Sequence, residues 1–316
     1  VHDDIAGTAT PDLTGLIAEL GTLTTEYVDP DRGDLALLST SDLVAAMNAE
    51  DARVAGAVAT QSAAIAAAVD GIVERLRRGG RMIYLGAGTA GRMGVLDASE
   101  CPPTFGTDPS LIIGLVAGGA SAIHTAVEGA EDDVDAAGRE LRALALGPED
   151  VVIGVSASGR TPYVVGALTA ARATGSLTIA VACNSPSVIG AVADIPIEVV
   201  VGPEFVAGST RLKAGTAQKL VLNMLTTLSM IRLGKTYRGV MVDLQATNDK
   251  LRARSIRTVA MMTGASLGEA AGALDATRGA VKQAILVLST GVAPEAAPAA
   301  LLAAEGMLGR AIEQAG

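Results

Sequence analysis

The sequence predicts an α/β protein: a doubly wound, five-stranded parallel sheet with helices before it and a small helical subdomain after it. Three observations carry that prediction. Five short Val/Ile/Leu-rich runs recur between residues 82 and 202 without polar alternation, the texture of strands buried on both faces. The stretches between them are long enough for helices, the order that builds parallel sheets. Nearly half of the 316 residues are apolar, and aromatics are only 2%. Such a composition, rich in alanine, favours closely packed helices over a sandwich or an aromatic-lined groove.

Taken in order, residues 1–35 are weakly patterned, with "VDPDRGD" reading as a loop. Ser39 to Asp42 offers N-cap chemistry. Helical spacing then runs to Gly79-Gly80, a helical stop, and predicts two helices broken near Asp51–Gly56. The strands follow as "MIYLGAG", "LIIGLVAGG", "VVIGVSASG", "LTIAVACNS" and "IPIEVVVG". Between them, "AIHTAVEGAEDDVDAAGRELRAL" and "TPYVVGALTAARATG" predict helices. The sheet is thus of roughly flavodoxin-like type, with its strand order unread. A long amphipathic helix falls in "STRLKAGTAQKLVLNMLTTLSMIRLG", and a further helix follows "TYRGVMVDLQATND". Asn248 and Asp243 there read as fixing a chain turn. The last fifty residues predict three short helices. The chain divides as 1–254, sheet domain with its N-terminal helices, and 255–316, helical subdomain.

The formal net charge of −10 argues against nucleic-acid or anionic-membrane partners. A small anionic ligand remains compatible, because local loops can hold a phosphate. The two cysteines, Cys101 and Cys183, make no metal-ligand spacing, which predicts no metal and suits a reducing cytosol. The residues as given show neither a signal-like segment nor an uninterrupted membrane-length apolar run, so a cytoplasmic protein is expected.

Gly86-Ala87-Gly88-Thr89-Ala90-Gly91 has the spelling G-x-G-x-x-G after a predicted strand. A dinucleotide site would also want an acid closing the second strand, where "LIIGLVAGG" ends in small neutral residues. It would want an unbroken helix as well, which Pro102-Pro103 predict against. What remains is a strand-to-helix turn whose backbone N–H groups suit an anion. The third strand ends similarly, with Ser156, Ser158, Gly159 and Thr161 in its turn. Hydroxyls in one such turn ordinarily cap a helix; two such turns in one sheet point to a sugar phosphate, expected against Gly88, Thr89, Ala90, Ser156, Ser158, Gly159 and Thr161.

Two acids lie between the loops. Glu100 in "DASECPP" stands among small and apolar residues, where an unpaired acid is costly. Glu131 in "EGAEDD" belongs to an acid run on a predicted helix, which by itself reads as a solvated face. Cys101 has no histidine partner for nucleophilic catalysis, and His124 reads as structural or exposed. Lys213 divides evenly between a ligand contact and a helix-surface lysine.

"YLGAGTAGRMGVLDASECPPTFG", "AVEGAEDD", "SASGRTPYVVGAL", "GSTRLKAGTAQKLVLNML" and "MVDLQATNDKLRAR" together resemble the N-acetylmuramic acid 6-phosphate etherases, which are sugar-isomerase (SIS) domain proteins. The resemblance runs from about Ser39 to Arg254, and the C-terminal part is similar to the family's small UBA-like subdomain. It implies cleavage of a lactyl ether without metal or redox cofactor, and a homodimer. Glu100 then matches the family's proton donor and Glu131 its second catalytic acid, here assigned as the C2 base. Ala90 departs from the resemblance, since the family carries serine there, and Ser156 stands where the family has alanine. A hydroxyl moved from one loop to the other would reconcile the two. The resemblance leaves two rival readings, a non-catalytic sugar-phosphate sensor and a keto-aldose isomerase. The pair of acids favours the etherase over the sensor, and the long motifs do not point to the isomerase.

Overall fold

The computed structural model describes residues 13–30, 32–243 and 249–315. Its frame is one parallel sheet of β1 (Met82–Gly86), β2 (Ile112–Val116), β3 (Val151–Ser156), β4 (Leu177–Ala182) and β5 (Ile195–Glu198), in the order β2-β1-β3-β4-β5. All five predicted runs are strands. β1 pairs in register with both neighbours, Met82 facing Ile112 on one side and Val151 on the other. This is the flavodoxin order, and its switch point lies between β1 and β3, where ligands of such sheets bind.

Helices cover both faces. α1 (Leu13–Leu20), α2 (Thr40–Asp51), α3 (Val54–Ala59) and α4 (Ser62–Arg77) precede the sheet. The predicted pair before Gly79 is therefore three helices, with an additional break at Thr60–Gln61. Ser39 caps α2 by accepting the Asp42 N–H. The inward stripe of α4, Ile65, Ala68, Val69, Ile72, Val73 and Leu76, recurs at three- and four-residue steps. It packs with α3, α5 (Gly88–Phe105) and α9 (Lys213–Arg232) on one face, against Met82, Tyr84, Val151, Ile153 and Ile179. α6 (Ala136–Ala143), α7 (Pro162–Ala173) and α8 (Val188–Val192) cover the other face, against Ile83, Leu85, Val152 and Ala180. Among the described residues no single helix is long and apolar enough to cross a membrane.

Two predicted features are corrected. α5 does not stop at Pro102-Pro103 but runs through both to Phe105, where Gly106 ends it with φ +62 and an N–H on the Pro102 carbonyl. A proline in a final turn forfeits its own donor, yet its fixed φ is already helical, so the turn survives. The rejection of a dinucleotide site therefore rests on the neutral end of β2 alone. The helix predicted over residues 122–144 shrinks to α6. Gly129 turns left-handed at φ +71, and the Asp133 carboxylate takes the N–H groups of Asp135 and Ala136, so the helix starts only there.

After α9, a hairpin of β6 (Thr236–Tyr237) and β7 (Val240–Met241) leads to α10 (Asp249–Thr263), α11 (Leu267–Ala276), α12 (Val281–Thr290), α13 (Ala297–Ala303) and α14 (Leu308–Ala315). The last segment thus holds four helices rather than three; the turn at Val292–Pro294 separates a helix that periodicity merged. α10 packs with α11 and α12 and contributes Val259 to their core, so the residue-255 division falls inside it. Asp243 joins this core to the sheet domain by accepting Lys282 Nζ at 2.9 Å and pairing with Lys235 at 3.1 Å. Asn248 lies outside the described residues.

The three glycines of the first loop have separate reasons. A Cβ on Gly86 would sit 2.6 Å from Gly91 N, and one on Gly91 would sit 2.4 Å from Gly86 O and 2.7 Å from Val116 Cγ2. Strand end and helix start touch through bare backbone. Gly88 has open space but φ +52, which L-residues adopt at a cost. Gly91→Ala is expected to lose about 2–3 kcal/mol or more by overpacking, against about 1 kcal/mol for Gly88→Ala. Urea denaturation of the two variants checks this, and equal losses would contradict it.

Candidate active site

The two loops leave neighbouring strands at the switch point, with Gly86 opposite Val155, about 4.8 Å apart as sheet neighbours are. In the first, Gly88 is exposed, Thr89 half-buried and Ala90 buried within the helix-face core. Ala90 thus serves packing as well as loop shape. The start of α9 lies alongside: a Cβ on Gly215 would touch Thr89 Cγ2 at 3.4 Å.

The second loop is built around the buried Ser156. Its Oγ accepts the Gly159 N–H at 3.0 Å and shares hydrogen bonds with Thr161 Oγ1 at 2.8 Å and Ser158 Oγ at 3.3 Å. Ser156 therefore shapes the loop, while Ser158 and Thr161 stay half-exposed beside the Pro162 start of α7. Gly159 holds φ +74, and a Cβ there would meet Ser187 Cβ at 2.5 Å.

A strap from the N-terminal segment secures this loop. Buried Asn184 accepts the Thr24 N–H and hydroxyl, both at 2.8 Å, and donates to Thr25 Oγ1 and the Ala157 carbonyl, both at 3.1 Å. Nearby, buried Glu204 caps α9 by taking the Lys213 and Ala214 N–H groups, both at 2.9 Å. Arg32 donates to the Glu204 carbonyl at 2.6 Å and lies 3.7 Å from Glu50. Lys213 is only 2% exposed and donates to Glu50 Oε2 at 2.5 Å. The surface-lysine reading is thereby overturned: the second half of a buried pair comes from α2, too distant in sequence to be foreseen.

The acids are held apart. Glu131 is exposed in a 3₁₀ turn, Ala130–Asp132. It lines a cavity of about 230 Å³ with Gly88, Arg92 and Glu128. Glu100 is exposed too, which corrects the expectation of an apolar enclosure. It lies twelve residues beyond Gly88 on α5, about 18 Å along the axis at 1.5 Å per residue. One turn earlier, buried Asp97 accepts Tyr84 Oη at 2.9 Å, Asn223 Nδ2 at 2.7 Å and Thr226 Oγ1 at 3.3 Å. Burial raises its carboxyl above the ordinary range, against the pull of these donors. Burial also pushes the Cys101 and Cys183 thiols up to about 12, which leaves neither a ready nucleophile. His124 is exposed.

Sequence reasoning missed Arg92, Asp97, Asn184, Glu204 and Glu50. Two carried a signal, since Asp97 and Arg92 both stand in the motif that contains Glu100.

A family description of the glucokinase regulatory protein N-terminal SIS domain matches residues 64–172, and one of the SIS domain matches residues 121–228. The N-acetylmuramic acid 6-phosphate etherase of Streptomyces avermitilis is 56% identical over 95% of this chain and 96% of its own length. That of Rubrobacter xylanophilus is 55% identical over 88% and 92%, and etherase 2 of Vibrio cholerae 51% over 95% and 97%. Among solved structures, a phosphoheptose isomerase from Francisella tularensis superposes with a TM-score of 0.50 at 19% identity. It spans 61% of this chain and 100% of that one, a likeness of fold alone.

The Glu50–Lys213 pair gives a pH test. The Lys213 hydrogen bond lowers the Glu50 carboxyl below its ordinary value of 4.5, with burial opposing. A lowered folded-state pKa contributes stability above 4.5 that is lost as pH falls through the lower value. Glu50→Gln is expected to lose roughly 3 kcal/mol at pH 7, because Lys213 is left buried without its charge partner. Urea titrations should show the gap to wild type closing below pH 4.5; a constant gap would contradict the assignment.

Proposed function

This chain belongs to the N-acetylmuramic acid 6-phosphate etherase family, and from that membership we propose how its residues divide the reaction. It is a carbon–oxygen lyase acting on a sugar phosphate. In the open-chain aldehyde the carbonyl acidifies the C2 proton, and the lactyl oxygen on C3 is the β leaving group. Glu131 takes the C2 proton to leave an enolate, whose electron pair then forms the C2–C3 double bond as the C3–O bond breaks. Glu100 protonates the departing oxygen, water then adds at C3, and the C2 proton returns. Substrate and water together give N-acetylglucosamine 6-phosphate and D-lactate. Thr89, Ser158, Thr161 and the Gly88 backbone hold the phosphate, with Ser156 shaping their loop by taking the Gly159 N–H. Lys213 acts by tying α9 to α2. Two buried free thiols suit a cytosolic setting.

The observation that carries the assembly is that Glu100 lies about 18 Å along α5 from Gly88, with which Glu131 lines the cavity. An acid and a base working on adjacent carbons of one sugar cannot be served at that distance. A homodimer that brings Glu100 from a second copy to Glu131 of the first resolves it. Leu96 on α5 and Met224, Leu228 and Ile231 on α9 are exposed apolar residues, and α5 and α9 pack on each other next to Glu100. They supply an interface beside that acid.

Lactate release from N-acetylmuramic acid 6-phosphate tests the reaction, and Glu100→Gln and Glu131→Gln should each lose at least about 10²-fold in rate. In heavy water Glu100→Gln should still exchange the C2 hydrogen, and Glu131→Gln should not. Co-refolding the two inactive variants should regain about a quarter of wild-type activity, from hybrid dimers with one intact site. No recovery would sink the shared site. A wild type that binds the sugar phosphate but releases no lactate would favour a sensor.

The exchange of hydroxyls between the loops is tested separately. Inorganic phosphate should bind more weakly to Ser156→Ala and regain affinity in the Ala90→Ser, Ser156→Ala double variant. Unchanged affinity throughout would end the idea.

A further inference from the structure

Arg92 stands one turn into α5, on the stripe that continues through Leu96 to Glu100. Its Nε donates to the carbonyls of Ala122 and Ile123, both at 3.0 Å. These bonds staple the turn ahead of Glu131 onto α5 and fix the plane of the guanidinium. The two terminal nitrogens make no hydrogen bond or ion pair among the described residues. Arg92 is half-buried and lines the 230 Å³ cavity together with Gly88 and Glu131. Glu128 and Glu131 stand on the same wall without pairing with it. Of the other cations near the loops, Lys213 is matched to Glu50, and Arg160, half-buried in the second loop, has an interaction of its own.

An oriented guanidinium with an unused edge, facing a cavity that holds a general base, is suited to a carboxylate. Two parallel N–H groups match its two oxygens, and the bond is charge-assisted. The substrate of the reaction above carries two anions. Its phosphate is provided for by hydroxyls and backbone N–H groups at the strand ends, and among the described residues Arg92 is the one cationic side chain lining the cavity for its lactyl carboxylate. We infer that Arg92 receives the lactyl carboxylate and is the residue by which the site distinguishes substrate from sugar product. This rests on the etherase reading. The contact would also place C3 with its leaving group beside Glu131 while the phosphate is held in the loops. Once the C3–O bond breaks, the carboxylate belongs to lactate, and the remaining sugar phosphate has nothing on Arg92. Substrate is therefore held by two anion contacts and product by one.

The test compares two ligands in the Glu100→Gln background, where ether cleavage is slowed at least about 10²-fold. Arg92→Gln should weaken N-acetylmuramic acid 6-phosphate by roughly tenfold to hundredfold, the worth of a hydrogen bond to a charged group. It should leave N-acetylglucosamine 6-phosphate unchanged, which also shows that the stapled turn has kept its place. Arg92→Lys, with the charge but not the fork, should recover only part of the difference. Equal weakening of both ligands would assign Arg92 to the phosphate or the sugar and overturn the inference, as would no weakening of either. Wild type that releases no lactate would instead remove the etherase reading, whatever the variants do.

Discussion

Burying a carboxylate between a strand and two helices costs free energy unless donors replace its water, and at Asp97 three side chains do so. Tyr84 reaches it from β1, and Asn223 and Thr226 reach it from α9. The bonds fix the rotation of α5 about its own axis, while the contact between Gly86 and Gly91 fixes how closely the helix approaches β1. With Asp97 turned inward, Arg92, Leu96, Glu100 and Pro103 are left along the adjacent outer stripe at helical spacing. The placement of Glu100 and of Arg92 thus follows from one buried acid and two glycines.

The floor of the site is assembled on the same plan, from polar groups that are satisfied before any ligand arrives. Ser156 is committed to its own loop, Asn184 to the N-terminal strap, and Glu204 to the start of α9. Lys213 and Arg32 share Glu50. Such networks cost little once complete and hold their members in single positions. Among the described residues, groups placed to serve a ligand therefore include the half-exposed hydroxyls of Thr89, Ser158 and Thr161, the N–H group at Gly88, and the free edge of Arg92.

The sheet and most of its helices were legible because their signals are local. Unalternating apolar runs mark β1 to β5, Ser39 marks the start of α2, and Gly79 ends α4. The family resemblance named the two acids and the loop residues. What could not be read depends on contacts distant in sequence. Glu50 and Lys213 are 163 residues apart, and Thr24 and Asn184 are 160 apart; no pattern in either segment announces the other. Glu100 misled for a related reason. Its neighbours in sequence are small and apolar, but helix geometry turns Ala98 and Cys101 inward and leaves Glu100 outside. The Pro102-Pro103 pair misled because breaking a helix interior and occupying its last turn look alike until the end of the helix is known.

The overall charge of −10 makes the local arrangement of donors decisive. A substrate with a phosphate and a carboxylate approaches against an unfavourable field, but that field is screened beyond about 8–10 Å at physiological salt. Within the site the nearest groups dominate, and in the proposed arrangement these are hydroxyls and backbone N–H groups for the phosphate and the Arg92 guanidinium for the carboxylate. Neutral donors suit the anion that stays, because they hold it alike before and after cleavage. The cation suits the anion that leaves, since its attraction acts on the lactyl group and passes to lactate when the ether breaks. Lactate then exchanges one charge-assisted contact for water, and outside the site the negative surface disfavours its return.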